Sequence, residues 1–280
     1  MLNIISLGVG VQSTALYLQS SLGFFPRADY AIFSDTGKEK KQTLVLLSEL
    51  IQWSKKNNGI KIIHATERNL FYDLLKNKIA HGSSFQTIPS FTKNNDGSVG
   101  MLKRQCTLHY KIRPVDSVIR SIHGLKPYAR MPFTRVWKGI SLDEMSRMSI
   151  PQEAWKISAF PFVGYEIPYN SNPQNLVWAK KMSRTDLLKW YSENGFDVPV
   201  KSSCVFCPYQ SNKSWRDLKQ NFPSDFADAV LVDEAIRNST AKGISNPTFL
   251  HKSLTPLSEI DFLTSQIDMF EDECLDGCHT

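Results

Sequence analysis

The chain has 280 residues, 41% of them hydrophobic and 21% charged, with 14 glycines and 14 prolines. That content can bury a sizeable core and lacks the bias of disordered, collagen-like or coiled-coil sequence. Lys and Arg outnumber Asp and Glu 33 to 27, and the net charge of +6 suits an anionic ligand without specifying nucleic acid.

Met1 to Pro26 carries no charged residue, but it has no basic n-region. Its run is broken by Asn3, Ser6, Gln12, Ser13, Thr14, Gln19, Ser20 and Ser21, so it reads as neither a signal peptide nor a membrane span. A cytoplasmic protein without a membrane partner is expected. The five cysteines are odd in number and four of them fall after Pro199, which favours metal or redox use over a disulfide framework.

In chain order, Asn3–Leu7 predicts a buried strand, followed by a glycine turn and a helix through Thr14–Ser21. A second strand, Tyr30–Phe33, runs into Ser34-Asp35-Thr36-Gly37, with a helix near Gln42–Lys56. Ile60–His64 and Val136–Ile140 read as further strands. Such alternation predicts an α/β fold with a doubly wound, mostly parallel sheet. Gly82–Gly100 reads as one long loop, of the kind that often forms a lid or binding element. The composition shifts near residue 200, so the expected division is a nucleotide-binding α/β domain over 1–200 and a cysteine-containing region over 201–280 folded onto its crevice.

The segment Ser6-Leu7-Gly8-Val9-Gly10-Val11-Gln12-Ser13-Thr14 joins a strand to a helix. Glycines let backbone amides approach a phosphate, and a helix start adds unsatisfied N–H groups and partial positive charge. Ser13 and Thr14 suit capping or phosphate contact. Asp35, Thr36 and Gly37 would stand at the same carboxyl edge, where open α/β sheets bind ligands, with Asp35 near a ribose or metal. The alternative for Asp35 is a plain turn residue.

Lys103, Arg104, Lys111 and Arg113 flank Cys106, and Arg147 and Arg184 follow. Arginine forks suit phosphate and sulfate oxygens. Pro114 marks the first turn of a helix over Val115–Ile122, which would place Lys111 and Arg113 just ahead of it and hint at an anion between them. Leu142–Met148 reads as a short helix opened by Asp143 and Glu144. Cys204 and Cys207 bracket a turn with spacing that serves zinc, an iron–sulfur cluster or redox closure, and Cys274 and Cys278 form a second pair.

Together these motifs resemble the phosphoadenosine phosphosulfate reductase family of the PP-loop adenine-nucleotide superfamily. Ser6–Thr14 is similar to its pyrophosphate loop and Phe33-Ser34-Asp35-Thr36-Gly37 to its second-strand motif. Cys106 through Lys111, Arg113 and Pro114 resembles its Cys-then-Lys-x-x-Pro helix. Gly139 through Arg147 resembles its Gly-x-Arg segment, and Cys204-x-x-Cys207 and Glu273-Cys274-Leu275-Asp276-Gly277-Cys278-His279 resemble its late cysteine motifs. Gln12 replaces the carboxylate of the ATP-cleaving members, which weakens a claim of Mg²⁺-dependent ATP cleavage. A single cysteine stands at 106, and Ser141 replaces an expected arginine.

The resemblance implies binding of ATP or an adenylyl sulfate-type nucleotide by Ser6, Gly8, Gly10, Gln12, Ser13, Thr14, Asp35, Thr36, Gly37 and Gly139, with Mg²⁺ as an optional companion. It implies sulfur chemistry using Cys278, Cys106, Lys111, Arg113 and Arg147. For the cysteines it favours an iron–sulfur cluster on Cys106, Cys204 and Cys207 with Cys274 or Cys278. Zinc on the four late cysteines and uncoordinated catalytic thiols are the other assignments. The expected partners are the nucleotide, a reductant or sulfur-donor protein and a second copy of the chain. Two other functions stay open: a nucleotide-activated sulfurtransferase acting on DNA or RNA, and a nucleotide- or nucleic-acid-binding protein with structural zinc.

Overall fold

The computed structural model describes residues 1–66, 68–76, 87–126, 128–238 and 245–262. Cys274, Cys278 and His279, and most of the first part of the expected loop at 82–100, lie outside the described residues. No helix among those described is long and apolar enough to cross a membrane.

Short apolar stretches, Ile4-Ile5, Ala31-Ile32-Phe33, Val136-Trp137 and Ala159-Phe160, sit at the heart of the central strands and are buried, as expected of strands covered on both faces. The sheet comprises β1 (Leu2–Leu7), β2 (Tyr30–Ser34), β3 (Ile62–Ala65), β6 (Thr134–Lys138), β7 (Lys156–Phe160), β8 (Tyr165–Pro168) and β9 (Gln174–Asn175). Its order is β3-β2-β1-β6-β7-β8-β9. The first five strands are parallel and the last two antiparallel. The doubly wound, mostly parallel architecture is therefore present. The strand order reverses between β1 and β6, where Ser6 lies opposite Lys138. That reversal opens the crevice in which such sheets hold ligands.

Helix α1 (Val11–Ser21) is buried along nearly its whole length. It shares one core with α2 (Lys41–Lys56) and α5 (Arg184–Glu193) on one face of the sheet. On α2 the buried positions Thr43, Leu47, Leu50 and Ser54 follow helical spacing. The opposite face is covered by α4 (Arg113–Ile122) through Val115 and Ile119. A further core joins α3 (Leu70–Leu75), Ile88 and Tyr110 to Val205, Phe206, α6 (Asn212–Asn221) and α7 (Pro223–Arg237). Val205, Phe206, α6 and α7 are thus packed on α3, Ile88 and Tyr110.

Three expectations change. The tract read as a loop contains a hairpin, β4 (Phe91–Lys93) and β5 (Val99–Met101), with β10 (Thr248–Phe249) added to its edge. Its turn is closed by Asn94, Asp96 and Ser98, whose polar side chains masked two strands of only three residues. The helix expected from Val115 begins earlier, because a π-helical turn over Leu108–Ile112 leads directly into α4. Pro114 sits in the first turn of α4 as its missing N–H allows, yet the backbone before it is helical too. Finally, Leu142–Arg147 is a 3₁₀ segment broken at Glu144.

Candidate functional site

At the end of β1 the chain turns through Gly8-Val9-Gly10 into α1. Val9 holds the left-handed conformation (φ 56°) and is fully buried. A branched residue there costs about 1–3 kcal/mol, so the surrounding packing must enforce the loop shape. The amides of Gly8 and Gly10 both donate to Ser13 Oγ, at 3.2 and 3.3 Å. Two N–H groups converging on one oxygen form the kind of nest that also receives a phosphate oxygen. No side chain caps Gly10, so the first turn of α1 presents its amides to the crevice.

Gly139 closes the other side. A Cβ there would lie 2.6 Å from Ser13 N and 2.8 Å from the Gln12 carbonyl carbon. Only glycine lets the end of β6 come this close to the start of α1.

The crevice is a cleft of about 1260 Å³. Ser6, Gly8, Gly10, Gln12, Ser13, Gly139, Lys111 and Arg147, all named from the sequence, lie on its wall. Nine lysines and arginines face it against five carboxylates, an excess of four cations. Arg147 is held by Glu144 at 2.7 Å, and Asp143 accepts from the Arg184 amide at 2.6 Å. Glu144 therefore orients the Arg147 guanidinium, while Asp143 ties the start of α5 to the cleft wall.

Four candidates fall elsewhere. Thr14 is 1% exposed and turned into the core rather than the cleft. Asp35 accepts from the Gly37 amide at 2.7 Å and pairs with His64 at 3.5 Å, which makes it a turn residue outside the cleft lining. Burial opposes its ionisation, but His64, the Gly37 amide and Lys111 hold its carboxyl below the ordinary value. Gly37 has φ +94° and lies against the Asn69 side chain that caps α3. Arg113 is exposed and contacts His109 at 3.1 Å, because the added helical turn before α4 rotates it away from the cleft.

Thr36 lines a second, water-sized cavity of about 30 Å³ together with Cys106, Cys204 and Cys207. Here Thr36 Oγ1 lies 2.9 Å from Cys204 Sγ and donates to Glu39 Oε1 at 3.0 Å. Glu39 is 3% exposed, and Lys111 Nζ approaches its Oε1 at 3.5 Å. Burial, reinforced by Glu39, pushes the Cys204 thiol well up, against the pull of Lys111. The backbone fixes this arrangement through a bridge between Glu39 and Cys204 and the bonds Lys40 N to Ser203 O and Val205 N to Lys38 O.

Three thiols on one cavity fit a soft, thiolate-ligated centre in kind. Among the described residues, however, no three His, Cys, Asp or Glu side chains are gathered as a closed ligand set. A metal or cluster held there would need a further ligand from beyond them.

Sequence reasoning missed Glu39, Lys40, Lys138, Lys156 and Asp116. Lys138 was within reach, since it ends the strand that precedes Gly139. Glu39 carries no spacing signal and is brought in by the turn after β2.

No family model matches the chain, and no curated protein sequence matches it. Among solved structures it is similar to phosphoadenylyl-sulfate reductase from Candida auris in its phosphate complex. The TM-score there is 0.41 at 13% identity, over 71% of this chain and 75% of that one. It is also similar to the U34-tRNA thiolase NcsA from Methanococcus maripaludis with its 4Fe–4S cluster, with a TM-score of 0.35 at 14% identity over 84% and 70% of the two chains.

Proposed function

We propose that this chain is an adenine-nucleotide-binding enzyme of the phosphoadenosine phosphosulfate reductase type, whose thiols act on a sulfur-bearing species held in the cleft. One observation carries the reading: Arg104, Thr107 and Lys111 line both the cleft and the thiol cavity, so the two share a wall. In this reading the amides of Gly8, Gly10 and the first turn of α1 take the nucleotide phosphates. Lys111 and Arg147 neutralise the charge that builds on the departing phosphate. A cysteine thiolate attacks the sulfur of the sulfonucleotide, the S–S bond forms, the bond from sulfur to the phosphate oxygen breaks, and the nucleotide leaves with that oxygen. By resemblance the attacking residue is Cys278. A reductant protein with two thiols then displaces the transferred group as sulfite, is itself oxidised to a disulfide and returns the cysteine thiol.

With Cys278 as the attacking thiol, Cys106, Cys204 and Cys207 together with Cys274 would hold an iron–sulfur cluster or zinc, which would supply a soft electrophilic site. The excess of four cations and the size of the cleft favour, as a second reading, sulfur transfer to a DNA or RNA acceptor.

The test is anaerobic purification followed by iron, acid-labile sulfide and zinc analysis, with calorimetric titration of ATP and adenylyl sulfate. Iron with matching sulfide, lost in Cys204→Ser, together with nucleotide binding lost in Lys111→Met, supports the reading. One zinc per chain with nucleotide binding and no turnover would replace it with a binding protein. DNA or RNA binding that falls steeply with salt would move the acceptor reading ahead.

A further inference from the structure

Two lysines and two carboxylates meet in the cleft on the α4 side of the sheet, and they are not shared equally. Lys156 Nζ lies 2.7 Å from Asp116 Oδ1 and 3.0 Å from Glu153 Oε2, with its side chain only 7% exposed. Lys138, at the carboxyl end of β6, donates to Ser149 Oγ at 3.2 Å and stands 5.7 Å from the centre of the Phe160 ring. Among the described residues no carboxylate stands within ion-pair distance of it. Lys156 therefore keeps both acids in direct contact, and Lys138 stands beside that fixed ammonium with Ser149 as its hydrogen-bond partner.

Both lysines line the cleft, and Ser6 of the glycine loop lies opposite Lys138 across the β1–β6 pairing. Burial first, and the Lys156 charge second, push the Lys138 amine down to about 8, against the opposing pull of Glu153 and Asp116. Arg147, Glu144 and Asp143 face the same cleft from the 3₁₀ segment, and Glu144 is already engaged by Arg147. A neutral amine is a nucleophile, while the surrounding cations concentrate anions around it. The cleft also exceeds the roughly 300–1,000 Å³ that a drug-sized ligand needs, so it has room for more than one molecule.

We propose that Lys138 is a reactive amine that condenses with an anionic carbonyl compound, one carrying a phosphate or carboxylate beside its aldehyde or ketone. The nitrogen lone pair forms the new C–N bond, and the carbonyl oxygen leaves as water with the two amine protons. The product is an imine, and no oxidant or reductant is consumed. This proposal does not rest on the sulfur chemistry proposed above, although it uses the same cleft.

The probe is pyridoxal 5′-phosphate, trapped by borohydride reduction and located by peptide mass spectrometry on the full chain. At neutral pH, Lys138 is expected to label about ten-fold or more faster than Lys189, whose side chain is 73% exposed. The labelling of Lys138 should reach half its maximum near pH 8. Two variants separate a tuned amine from a disturbed fold. Lys156→Met removes the neighbouring cation and moves the half-point up, whereas Asp116→Asn removes a carboxylate and moves it down. Labelling of Lys138 in step with Lys189 overturns the proposal. So does a shift of both variants toward the ordinary lysine range, which is what simple loosening of the site would give.

Discussion

Gly139 approaches Ser13 so closely that a methyl group at its Cα would lie 2.6 Å from the Ser13 amide nitrogen. The obstacle is backbone at the start of α1, which cannot turn aside as a flexible side chain would. Gly139→Ala must therefore push β6 away from the glycine loop. The expected result is a loss of about 1–3 kcal/mol in stability and a weakening of nucleotide binding by about ten-fold or more. Urea unfolding and calorimetric titration with adenylyl sulfate measure the two. Wild-type values in both would show that the loop does not depend on this contact.

Lys111 and Arg113 are two residues apart but differ in surroundings, since only Lys111 lies on the wall between cleft and thiol cavity. Lys111→Met should weaken nucleotide binding by about 1.5–3 kcal/mol, the range for bonds to charged groups. Arg113→Met should leave it within about two-fold. Lys111→Met also strips the ion pair from buried Glu39, and an unpaired buried charge costs about 3–5 kcal/mol of stability. Combining it with Glu39→Gln should restore stability without restoring binding. If the double variant recovers binding as well, Lys111 acts only through the fold.

Gly37 gives the opposite pattern. A Cβ there would meet the Asn69 side chain at 2.2 Å, and its φ of +94° strains any other residue. Moving Asn69 removes the acceptor for the Tyr72 amide at the start of α3. Gly37→Ala should cost about 1–3 kcal/mol of stability while leaving nucleotide affinity unchanged. A selective loss of affinity, with stability intact, would return Gly37 to the nucleotide site.

The parallel sheet was legible because Ile4-Ile5 and Tyr30–Phe33 are short apolar runs that lead into glycine turns, a pattern that local chemistry dictates. The cleft was legible for the same reason at Gly8, Gly10 and Gly139. What stayed hidden depends on tertiary placement. Asp35-Thr36-Gly37 resembles a ligand motif, yet Asp35 closes its own turn and Thr36 looks toward Cys204, because the segment that follows pairs Glu39 with Cys204 in an isolated bridge. The rotation of Arg113 away from the cleft comes from one extra residue per turn before α4, which side-chain periodicity cannot reveal. Lys138 and Asp116 come from distant segments and carry signal only once the sheet and α4 face each other.

His251 and Asp116, both shifted by burial, act on stability in acid in opposite senses. His251, 8% exposed and held between Ser253 and Asn212, is pushed down to about 4 by burial and then by Lys252. As pH falls from about 6.5 toward 4 the unfolded chain takes a proton that the folded chain refuses, so stability is lost, by on the order of 3 kcal/mol. Asp116 is raised to about 6 by burial, against Lys156. Between about 6 and 3.8 the folded chain takes the proton first, so acidification stabilises through this group. The two slopes largely cancel, and wild-type stability from these groups should change little between pH 6 and 4. His251→Gln, which keeps an amide for Asn212 and Ser253, should then gain stability on acidification relative to its value at pH 6. Asp116→Asn should lose stability over the same range, exposing the His251 contribution alone. Urea midpoints across the series read both slopes. Parallel curves for His251→Gln and wild type would mean that His251 is not the group that resists protonation.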